Sequence, residues 1–577
     1  MCGIIGCCSN HNVLHNTING LKKLEYRGYD SCGITFLLNK EFHTFKSIKR
    51  IEDLSKNINI DGGLAIAHTR WATHGKVSLD NAHPIYSSDK KYIIVHNGII
   101  ENYLKIKDTY LKEYIFYTET DTEVIINLID YLNKKCTMLE SIKRLYEILE
   151  GTYACLIIDK NEDKIYFIKN KSPLILGFSN ELIITSDILA LPKNTKKYYR
   201  LKDGDYGYIT KDTYSLFNIN DQNHFLFLDY YPLNYDISLK GFKHYMEKEI
   251  YEIPDLLHNY INKKYENRII NTLKNSNKIY LVASGTSFNA ASLGALFFSQ
   301  ISKKESYAFI SSEFQIDNTY DDKAIFVVIS QSGETADLIK AISKIKKKNY
   351  EVIAICNVEN STIKEMSDYF ININAGVEIA VASTKSYTLS SLVMYQLANI
   401  IVDNDYKEKL TDIVDNISSI FDVKDKIKKI ASYISNKEHL YYLGKGIDYL
   451  LCNEASLKLK EISYIHSESF PSGELKHGSI ALISSSSIVI GIITDPSNAN
   501  LIRNSLEEVK SRGAKTYVIS LESLSLDSDS IIIKDFDKYL SFIPISIIIQ
   551  LLAYFTALNL GNDIDKPRNL AKSVTVE

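Results

Sequence analysis

The spacing of apolar and polar positions divides the chain into two kinds of pattern. Up to about residue 230, short runs rich in β-branched and aromatic residues are separated by turns, and few long helical patterns lie between them. The runs that predict strands are Tyr92–His96, Ala154–Asp159, Lys164–Ile168 and Leu182–Ser186. This pattern predicts an α+β domain built from layered sheets.

The rest of the chain follows a different rule. Periodicity is lost between Asp229 and Lys243, and we place a linker at 236–243. Beyond it, apolar strands alternate with helical patterns, which predicts parallel sheets covered by helices on both faces.

This second half of the chain also resembles itself. The segment from Ile279 (IYLVASGTSFNA) is similar to the segment from Leu440 (LYYLGKGIDYLL), 161 residues later. Another pair of segments places Ser330 opposite Thr494, 164 residues later. Two nearly equal offsets predict a duplicated doubly wound α/β unit, although unrelated βαβ units can also resemble one another by chance.

Length and charge narrow the class of protein. A chain of 577 residues is too long for one core and predicts several domains. The 67 Lys and Arg residues nearly balance the 70 Asp and Glu residues, which argues against a nucleic-acid-binding protein. The eight cysteines show no C-x-x-C spacing and no H-E-x-x-H motif occurs, so no metal, redox or other cofactor is expected. Sparse cysteines and no basic leader predict a cytoplasmic protein.

One stretch, Ser541 to Leu560, has the length and composition of a membrane span. It is interrupted by Pro544, Gln550, Thr556 and Asn559. We therefore favour a buried helix of a large α/β domain and expect no membrane association.

The N-terminus carries the first candidate for catalysis. Removal of Met1 would leave Cys2 with both a thiol and a free α-amine, whose ordinary pKa values are about 8.5 and about 8. Such an amine is a base within reach of its own nucleophile. Alternatively, Cys2 is only a small apolar residue that opens a strand.

Three further motifs supply the groups that a thiol needs in order to attack a glutamine amide. They are HTRWATHG (from His68), HNGIIEN (from His96) and TETDTE (from Thr118). Arg70 offers a planar fork for an α-carboxylate, and Asp121 offers an anion for an α-ammonium. Asn97 and Gly98 lie at a strand-end turn, where an amide and a backbone N–H can face a developing oxyanion. Taken singly, each of these residues is most often part of a surface ion pair or a turn.

Together these motifs resemble the N-terminal-nucleophile glutaminase domain of class II amidotransferases over most of the first 235 residues. The motifs are CGIIG (from Cys2), LEYRGYDS (from Leu24), HTRWATHG (from His68), HNGIIEN (from His96) and TETDTE (from Thr118). The resemblance implies that Cys2 is the nucleophile, that Asn97 and Gly98 form the oxyanion hole, and that Trp71 gates ammonia. The implied glutamine-binding residues are Arg70, Trp71, Thr73, His74 and Asp121.

In the second half, two loops predict a phosphate site. VASGTSFNA (from Val282) and ISQSGETAD (from Ile329) each follow an apolar strand and open a helix. Their hydroxyls and helix N-terminal amides are suited to a phosphate monoester, although one such loop alone is often just a helix cap. The second copy has Asp495 in the corresponding place, where it would repel a phosphate, so we expect one sugar-phosphate site per chain.

Those loops and four later segments resemble the duplicated sugar isomerase (SIS) domains of the isomerising glutamine–fructose-6-phosphate aminotransferases. The later segments are VASTKSYT (from Val381), NEASLKLKEISYIHSES (from Asn453), GELKHG (from Gly473) and DKPRNLAKSVTVE (from Asp565). The resemblance implies that glutamine and fructose 6-phosphate give glutamate and glucosamine 6-phosphate, the first step of amino-sugar synthesis, with channelled ammonia. It also implies a homodimer.

The same resemblance assigns roles in the sugar site. Glu461 is implied to move a proton between C1 and C2, and Lys458, three positions before it, lies on the same helical face. His477 is implied to help open the furanose ring, and Lys572 to form an imine with the open-chain ketone. The implied sugar-phosphate residues are Thr286, Ser287, Ser330, Gln331, Ser332, Thr335, Val381, Ser383 and Lys458.

The resemblance also fixes the expected domains. They are the glutaminase (1–235), the linker (236–243), two SIS domains (244–424 and 425–560) and a tail that completes the sugar site (561–577). Apolar positions at Leu570, Ala571, Val574 and Val576 predict that this tail docks against the body.

Two positions depart from the family pattern. Ser284 replaces a common Cys, with a hydroxyl that can still donate, and Ser479 replaces a usual Pro beside His477. The long insertion of eukaryotic relatives is absent, which leaves feedback by a nucleotide sugar open.

Three alternatives are weaker. An amidotransferase acting on phosphoribosyl pyrophosphate needs an Asp-Asp loop after a strand, whereas Asp321–Asp322 precedes one. Asparagine synthetase needs a Gly-rich nucleotide loop, which the sequence lacks. A sugar-phosphate sensor without catalysis would not need Cys2, Glu461 and Lys572.

Overall fold

The computed structural model describes residues 2–56, 58–60, 62–72, 74–220, 225–230, 238–316, 320–321 and 323–574. Thr73, Asp322, Val576 and the linker residues 236–237 lie outside this described part. The chain forms two compact units, Met1–Asn234 with Ser573–Glu577, and Tyr235–Lys572.

The first unit is built from two antiparallel sheets and five α-helices within the described residues. Its strands are β1 (Gly3–Cys8), β2 (Ser31–Leu38), β3 (Glu41–Ser47), β4 (Leu64–Arg70), β5 (Ile85–Tyr86), β6 (Tyr92–Ile100), β7 (Gly151–Asp159), β8 (Ile165–Asn170), β9 (Ile175–Phe178), β10 (Leu182–Thr185), β11 (Lys197–Arg200), β12 (Asp205–Ile209), β13 (Tyr214–Asn218) and β14 (Leu228–Asp229). Its helices are α1 (Leu14–Leu24), α2 (Ile51–Ser55), α3 (Tyr103–Tyr110), α4 (Asp121–Asn133) and α5 (Met138–Ile148).

The two sheets stack face to face. Their strand orders are β14-β11-β9-β10-β1-β4-β2-β3 and β13-β12-β8-β7-β6-β5. Successive residues of β1 point to opposite faces, so Ile4 packs between the sheets while Ile5 packs toward α1. Helices α4 and α5 cover the outer face of the second sheet. The predicted α+β fold of layered sheets is confirmed.

The sequence pattern underestimated the helices of this unit. Helices α1, α4 and α5 have 11, 13 and 11 residues, whereas few long helical patterns were expected. Helix α4 is buried on nearly all sides, so its apolar positions do not form the one-sided stripe that reveals a surface helix.

The second unit contains two parallel sheets and twelve α-helices within the described residues. Its strands are β15 (Lys278–Ala283), β16 (Glu305–Ile310), β17 (Ala324–Ser330), β18 (Glu351–Cys356), β19 (Tyr369–Asn372), β20 (His439–Gly444), β21 (His466–Pro471), β22 (Ile488–Ile493), β23 (Lys515–Leu521) and β24 (Ile531–Ile533). Its helices are α6 (Tyr245–Tyr251), α7 (Ile253–Ile261), α8 (Asn267–Asn275), α9 (Gly285–Gln300), α10 (Ala336–Lys347), α11 (Thr362–Met366), α12 (Lys385–Ile400), α13 (Lys407–Asn416), α14 (Lys424–Ile434), α15 (Ile447–Ser463), α16 (Ala499–Lys510) and α17 (Phe542–Asn559).

The predicted duplication is confirmed. The sheets have the orders β16-β15-β17-β18-β19 and β21-β20-β22-β23-β24, so each copy has its second strand at the edge beside the first. In each copy the strand order reverses between the first and third strands, and this is where open α/β sheets bind ligands at the carboxyl ends of their strands. One continuous apolar core, which includes α9, α12, α15 and α17, joins the two copies.

The apolar stretch near the C-terminus forms α17. Within the described residues it is the one helix long and apolar enough to cross a membrane, but 89% of it is buried inside the protein. Two of its polar side chains donate hydrogen bonds there: the Thr556 hydroxyl to the Leu552 carbonyl at 2.7 Å, and the Gln550 amide to the Thr384 carbonyl at 3.3 Å. The expectation of a buried core helix is confirmed.

Candidate active sites

Cys2 lies directly before β1, and polar side chains of neighbouring strands fix the start of that strand. The Gly3 N–H donates to the Thr69 hydroxyl at 3.1 Å, and the Ile4 N–H donates to the Ser186 hydroxyl at 3.0 Å. Thr69 and Ser186 were not recognised from the sequence as parts of this site. They place Cys2 at the edge of the core with its side chain free to take part in other contacts.

The thiol of Cys2 contacts the main chain of Trp71. The Trp71 N–H donates to Cys2 Sγ at 3.3 Å, and Sγ lies 3.5 Å from the Trp71 carbonyl oxygen. Burial raises the pKa of Cys2, and this outweighs the Trp71 N–H and the nearby Arg70, which both lower it. The thiol is therefore protonated at rest, and an attack on an amide requires a base beside it.

The predicted oxyanion residues lie on β6, next to this thiol. The Asn97 side-chain amide donates to the Cys2 carbonyl at 2.9 Å, while its own oxygen is buried without a hydrogen-bond partner in the described chain. Gly98 has a φ of +141°, and a β-carbon there would lie 1.8 Å from the Thr152 carbonyl oxygen. Only glycine fits this position, which lies inside β6 and not at the strand-end turn that the sequence predicted.

Arg70 ends β4 and holds the loop that follows. Its guanidinium donates to the carbonyl oxygens of His74, Gly75 and Lys76, the last two at 3.1 and 3.4 Å. The Arg70 guanidinium, which was predicted to bind a carboxylate, therefore holds the loop 74–76 in this structure. The His74 ring packs edge-on against Tyr103, with ring centres 5.5 Å apart.

The other residues predicted to bind the substrate glutamine lie around the same loop. Asp121 is buried at the first turn of α4, where its carboxylate accepts the Ile100 N–H at 2.8 Å and its charge complements the helix dipole. Trp71 is half-buried, with its indole edge-on to Tyr29 at 6.2 Å. Asp30, whose role the sequence did not reveal, accepts the Ala72 N–H at 2.9 Å.

In the second unit, the two predicted phosphate loops follow the adjacent strands β15 and β17. Thr286 and Ser287 lie in the first turn of α9. In the other loop, Ser330 Oγ accepts the Gly333 N–H at 2.9 Å and lies 3.3 Å from Thr335 Oγ1. Gln331 and Ser332 lie between them. The loops therefore meet at the point where the strand order reverses, as a ligand site requires.

Ser284, one of the two departures from the family pattern, directly follows β15 and precedes α9. Its hydroxyl bonds to the Ser311 hydroxyl at the end of the neighbouring strand β16. This hydroxyl therefore links the segments that follow two neighbouring strands.

Helix α15 presents three charged side chains on one face. Lys458 Nζ lies 2.5 Å from Glu461 Oε2 and 3.6 Å from Glu454 Oε1. Glu454 also accepts hydrogen bonds from Thr286 at 3.3 Å and from Asn289 at 2.7 Å, which joins α15 to the first phosphate loop. The predicted Lys458–Glu461 pair is thus part of a larger cluster.

Burial separates the roles of these groups. Burial raises the pKa of Glu454 to about 7, and Lys458 only partly offsets it. Burial alone would lower the pKa of Lys458, but Glu461 and Glu454 outweigh it and raise that pKa. The side chain of Glu461 is 19% exposed, whereas Glu454 and Lys458 are fully buried. Glu461 is therefore the member that solvent or a substrate can reach.

Lys572 is buried rather than frayed. Its ammonium donates to Glu378 Oε2 at 2.6 Å and to Ser383 Oγ at 3.3 Å, and the Lys572 and Glu378 side chains are 3% and 0% exposed. Burial raises the pKa of Glu378, but Lys572 and the N–H groups of Thr384 and Ser386 outweigh it and lower that pKa to about 2. A carboxylate therefore holds the predicted imine-forming lysine.

The tail is docked by polar contacts. The Asp565 carboxylate accepts the N–H groups of Tyr245 and Met246 at the start of α6, and its carbonyl accepts the Val381 N–H at 2.9 Å. Val574 is 52% exposed, so its predicted apolar docking is wrong. Hydrogen bonds to a helix N-terminus and the fully buried Ile564 fix this segment.

His477 stands apart from the other predicted residues. It ends the short 3-10 helix Glu474–His477 and is exposed, and no hydrogen bond among the described residues joins it to the cluster on α15. Ser479 begins the next short helix, after Gly478 with a φ of +146°.

In the second copy of the fold, a carboxylate of the chain itself occupies the place where the strand order reverses. Asp448 is fully buried on α15, and its carboxylate accepts the Thr494 N–H at 3.1 Å and the Thr494 hydroxyl at 2.5 Å. Asp495 instead accepts the Ser497 N–H of its own loop at 3.0 Å. An internal carboxylate therefore lies where the first copy has its phosphate loop, a feature that the sequence comparison missed.

We expect Asp448→Asn to remove a pH-dependent loss of stability. Burial raises the pKa of Asp448 from its ordinary 3.8 to about 7. Between these values the folded chain binds more protons than the unfolded chain, so wild-type stability falls as pH rises, and asparagine removes that titration. Melting temperatures at pH 5 and 7.5 should show the variant gaining on wild type at the higher pH. A difference in melting temperature between variant and wild type that is the same at both pH values would contradict this expectation. The same pH-dependent difference in the control variant Asp495→Asn would also contradict it.

Comparisons with known proteins identify domain families in both halves of the chain. The glutamine amidotransferase domain family matches residues 68–193, and the SIS domain family matches residues 272–400 and 433–550. Glutamine–fructose-6-phosphate aminotransferases [isomerizing] from Lactiplantibacillus plantarum and Listeria monocytogenes are each 39% identical to the chain. In both cases the match covers 100% of each chain.

Solved structures agree for the second unit. The C-terminal domain of glucosamine-fructose-6-phosphate aminotransferase from Francisella tularensis is 35% identical, with a TM-score of 0.53 over 57% of this chain and 100% of that chain. A glucosamine-6-phosphate deaminase from Thermotoga maritima is 25% identical, with a TM-score of 0.50 over 57% of this chain and 99% of that chain. With identity maintained from end to end, the chain belongs to the family of isomerising glutamine–fructose-6-phosphate aminotransferases.

Proposed function

We propose that this chain converts L-glutamine and D-fructose 6-phosphate into L-glutamate and D-glucosamine 6-phosphate. The observation that carries the proposal is that the chain places Cys2 next to the Asn97 amide on β6 and, in its second unit, holds two hydroxyl-bearing loops and a buried lysine. The test is to incubate the protein with both substrates and to quantify glutamate and glucosamine 6-phosphate. A sugar-phosphate sensor would bind fructose 6-phosphate and form neither product.

In the glutaminase site, Cys2 Sγ attacks the amide carbon while its proton passes to the α-amine, which is free once Met1 has been removed. The oxyanion that forms is stabilised by the Asn97 amide and the Gly98 N–H. Collapse of the intermediate releases ammonia and leaves a thioester, and water then releases glutamate and restores the thiol. Arg70, Thr73, His74 and Asp121 hold the amino-acid end of glutamine.

In the sugar site, the hydroxyls and amides of the two loops hold the phosphate. The Lys572 amine adds to C2 of the open-chain ketone, and water leaves to give an imine. Ammonia then displaces the lysine. Glu461 removes the proton from C1 and returns it to C2, which converts the ketose imine into the amino aldose. The buried Lys458 holds the carboxylate of Glu461 in place.

The same proposal covers the remaining assignments. We place the domains at 1–235, 244–424 and 425–560, with the linker at 236–243 and the tail at 561–577. The protein is proposed to be a cytoplasmic homodimer. In such a dimer, His477 of one copy would enter the sugar site of the other copy. This would explain why a residue with a role in ring opening is exposed in the single chain.

Trp71→Ala is expected to uncouple the two reactions. The main-chain N–H and carbonyl of Trp71 contact Cys2 Sγ, and alanine keeps both, so glutamine cleavage should stay within about threefold of wild type. Removing the indole opens the path that ammonia must take, so free ammonia should appear in place of aminated sugar. The measurement is the ratio of glucosamine 6-phosphate to glutamate. A ratio near one in the variant would refute the gate. Tyr29→Phe, which keeps the ring against the indole, is the matched control.

A further inference from the structure

Glu249 is a buried carboxyl group that the proposed mechanism does not use. It lies on α6 and is 2% exposed. One of its oxygens, Oε1, accepts the N–H groups of Ile379 and Ala380, the second at 3.3 Å. Its other oxygen, Oε2, is buried with no hydrogen-bond partner among the described residues. A buried carboxylate oxygen without a partner is costly, whereas a protonated one is less so.

The position of Glu249 connects it with the sugar site. Ile379 and Ala380 lie between Glu378, which holds Lys572, and Val381, which is assigned to the sugar pocket. The charged groups that act on Glu249 are Glu378, Lys572 and Lys385. Glu249 therefore supports the segment that carries the partner of the imine-forming lysine, and it shares the electrostatic environment of that lysine.

We propose that Glu249 is a positioning residue that remains uncharged, so that it fixes the 379–383 segment while Glu378 stays the single anion opposite Lys572. The inference rests on the proposed role of Lys572. Burial and the neighbouring Glu378 raise the pKa of Glu249 to about 8, which is consistent with a neutral acid at physiological pH.

The charge of Glu249 matters because imine formation requires an amine. The Lys572 ammonium must release a proton before its nitrogen attacks C2; one proton then leaves with the departing hydroxyl as water, and the imine keeps the positive charge. A second carboxylate nearby would stabilise the ammonium and reduce the amine fraction, about tenfold for a shift of one pKa unit. Ionisation of Glu249 at high pH should therefore oppose the gain in nucleophilicity that a lysine ordinarily shows.

The test measures trapping of fructose 6-phosphate on Lys572 by cyanoborohydride, between pH 6.5 and 9.5, in the full-length protein. Wild type should stop gaining rate above about pH 8. Glu249→Gln keeps an oxygen for the two N–H groups but has no charge to gain. It should match wild type within about twofold at pH 7 and trap about tenfold faster at pH 9. Glu247→Gln is the matched control, because Glu247 lies on the same helix but accepts a hydrogen bond from Tyr554.

Positioning is tested separately with Glu249→Ala, which leaves the N–H groups of Ile379 and Ala380 without their acceptor. We expect the KM for fructose 6-phosphate to rise about tenfold with glutamine hydrolysis unchanged, and glutamine at position 249 to restore it at pH 7. If Glu249→Ala fails to fold, the pH profile of trapping in Glu249→Gln still tests the proposal.

The outcomes separate the two hypotheses. If wild type forms no adduct on Lys572 at any pH, the proposed role of Lys572 fails and this inference fails with it. If wild type forms the adduct but Glu249→Gln has the same pH profile, or Glu247→Gln shows the same change, the role of Glu249 alone is overturned.

Discussion

Replacing Cys2 with alanine is expected to abolish glutamine hydrolysis, by roughly four orders of magnitude or more, while the second unit continues to isomerise fructose 6-phosphate at close to its normal rate. The thiol is the one group at this site that can form the thioester. Its loss leaves the strand contacts of Gly3 and Ile4 in place, because those contacts use main-chain N–H groups. The measurements are glutamate release and the formation of glucose 6-phosphate from fructose 6-phosphate without ammonia.

The control and the contradicting results are specific. Cys136→Ala removes another cysteine that is not fully buried, and it should leave both reactions unchanged. Loss of sugar isomerisation in Cys2→Ala would contradict the separation of the two reactions into two units. Mass spectrometry of the mature protein gives a second test, since retention of Met1 would block the α-amine that is proposed to take the thiol proton.

The sequence was most informative where buried strands alternate with turns. The apolar run that ends at Ser330 and the run that ends at Ile493 predicted equivalent strands, and the structure has β17 and β22 there. Parallel strands in a doubly wound sheet are buried on both faces, so their apolar runs are easy to recognise. Helix α4 was missed because burial on nearly all sides removes the one-sided apolar pattern.

The site residues also divide into those that a local motif predicted and those that it did not. Cys2 and Asn97 were predicted from motifs and come together in the structure, as do Lys458 and Glu461, which are neighbours on one helix. Glu378 was not predicted, although it holds Lys572. The two residues are 194 positions apart, and no local spacing reveals a contact over that distance. Tertiary folding alone creates such a pair.

The docking of the tail shows why apolar pattern is a weak guide near a chain end. Val574 was expected to bury its side chain and is 52% exposed. The segment is held further upstream, where the Asp565 carboxylate accepts N–H groups at the start of α6 and the neighbouring Ile564 is fully buried. Those N–H groups lack partners within their own helix, so a carboxylate from any part of the chain can satisfy them.

Lys572→Arg is expected to abolish the conversion of fructose 6-phosphate by about a thousandfold or more, while glutamine hydrolysis persists at least in part. Arginine keeps a positive charge opposite Glu378 but cannot form an imine under these conditions. Borohydride added with fructose 6-phosphate should leave a covalent adduct on Lys572 of wild type, located by peptide mass spectrometry, and none in the variant. Lys566→Arg, in the same tail, is the matched control and should still give the adduct.

Deleting residues 570–577 is the complementary experiment, because it removes Lys572 but keeps the Asp565 contacts that dock the tail on α6. Glu378 would then be a buried carboxylate without its cation, so its pKa should rise from about 2 and the segment around Ser383 should loosen. Both effects act on the sugar site, so the truncated protein should lose sugar isomerisation and retain glutamine cleavage at least in part. Glucosamine 6-phosphate formed at the normal rate by the truncated protein, or an adduct found on a lysine other than Lys572, would show that the tail does not supply the nucleophile.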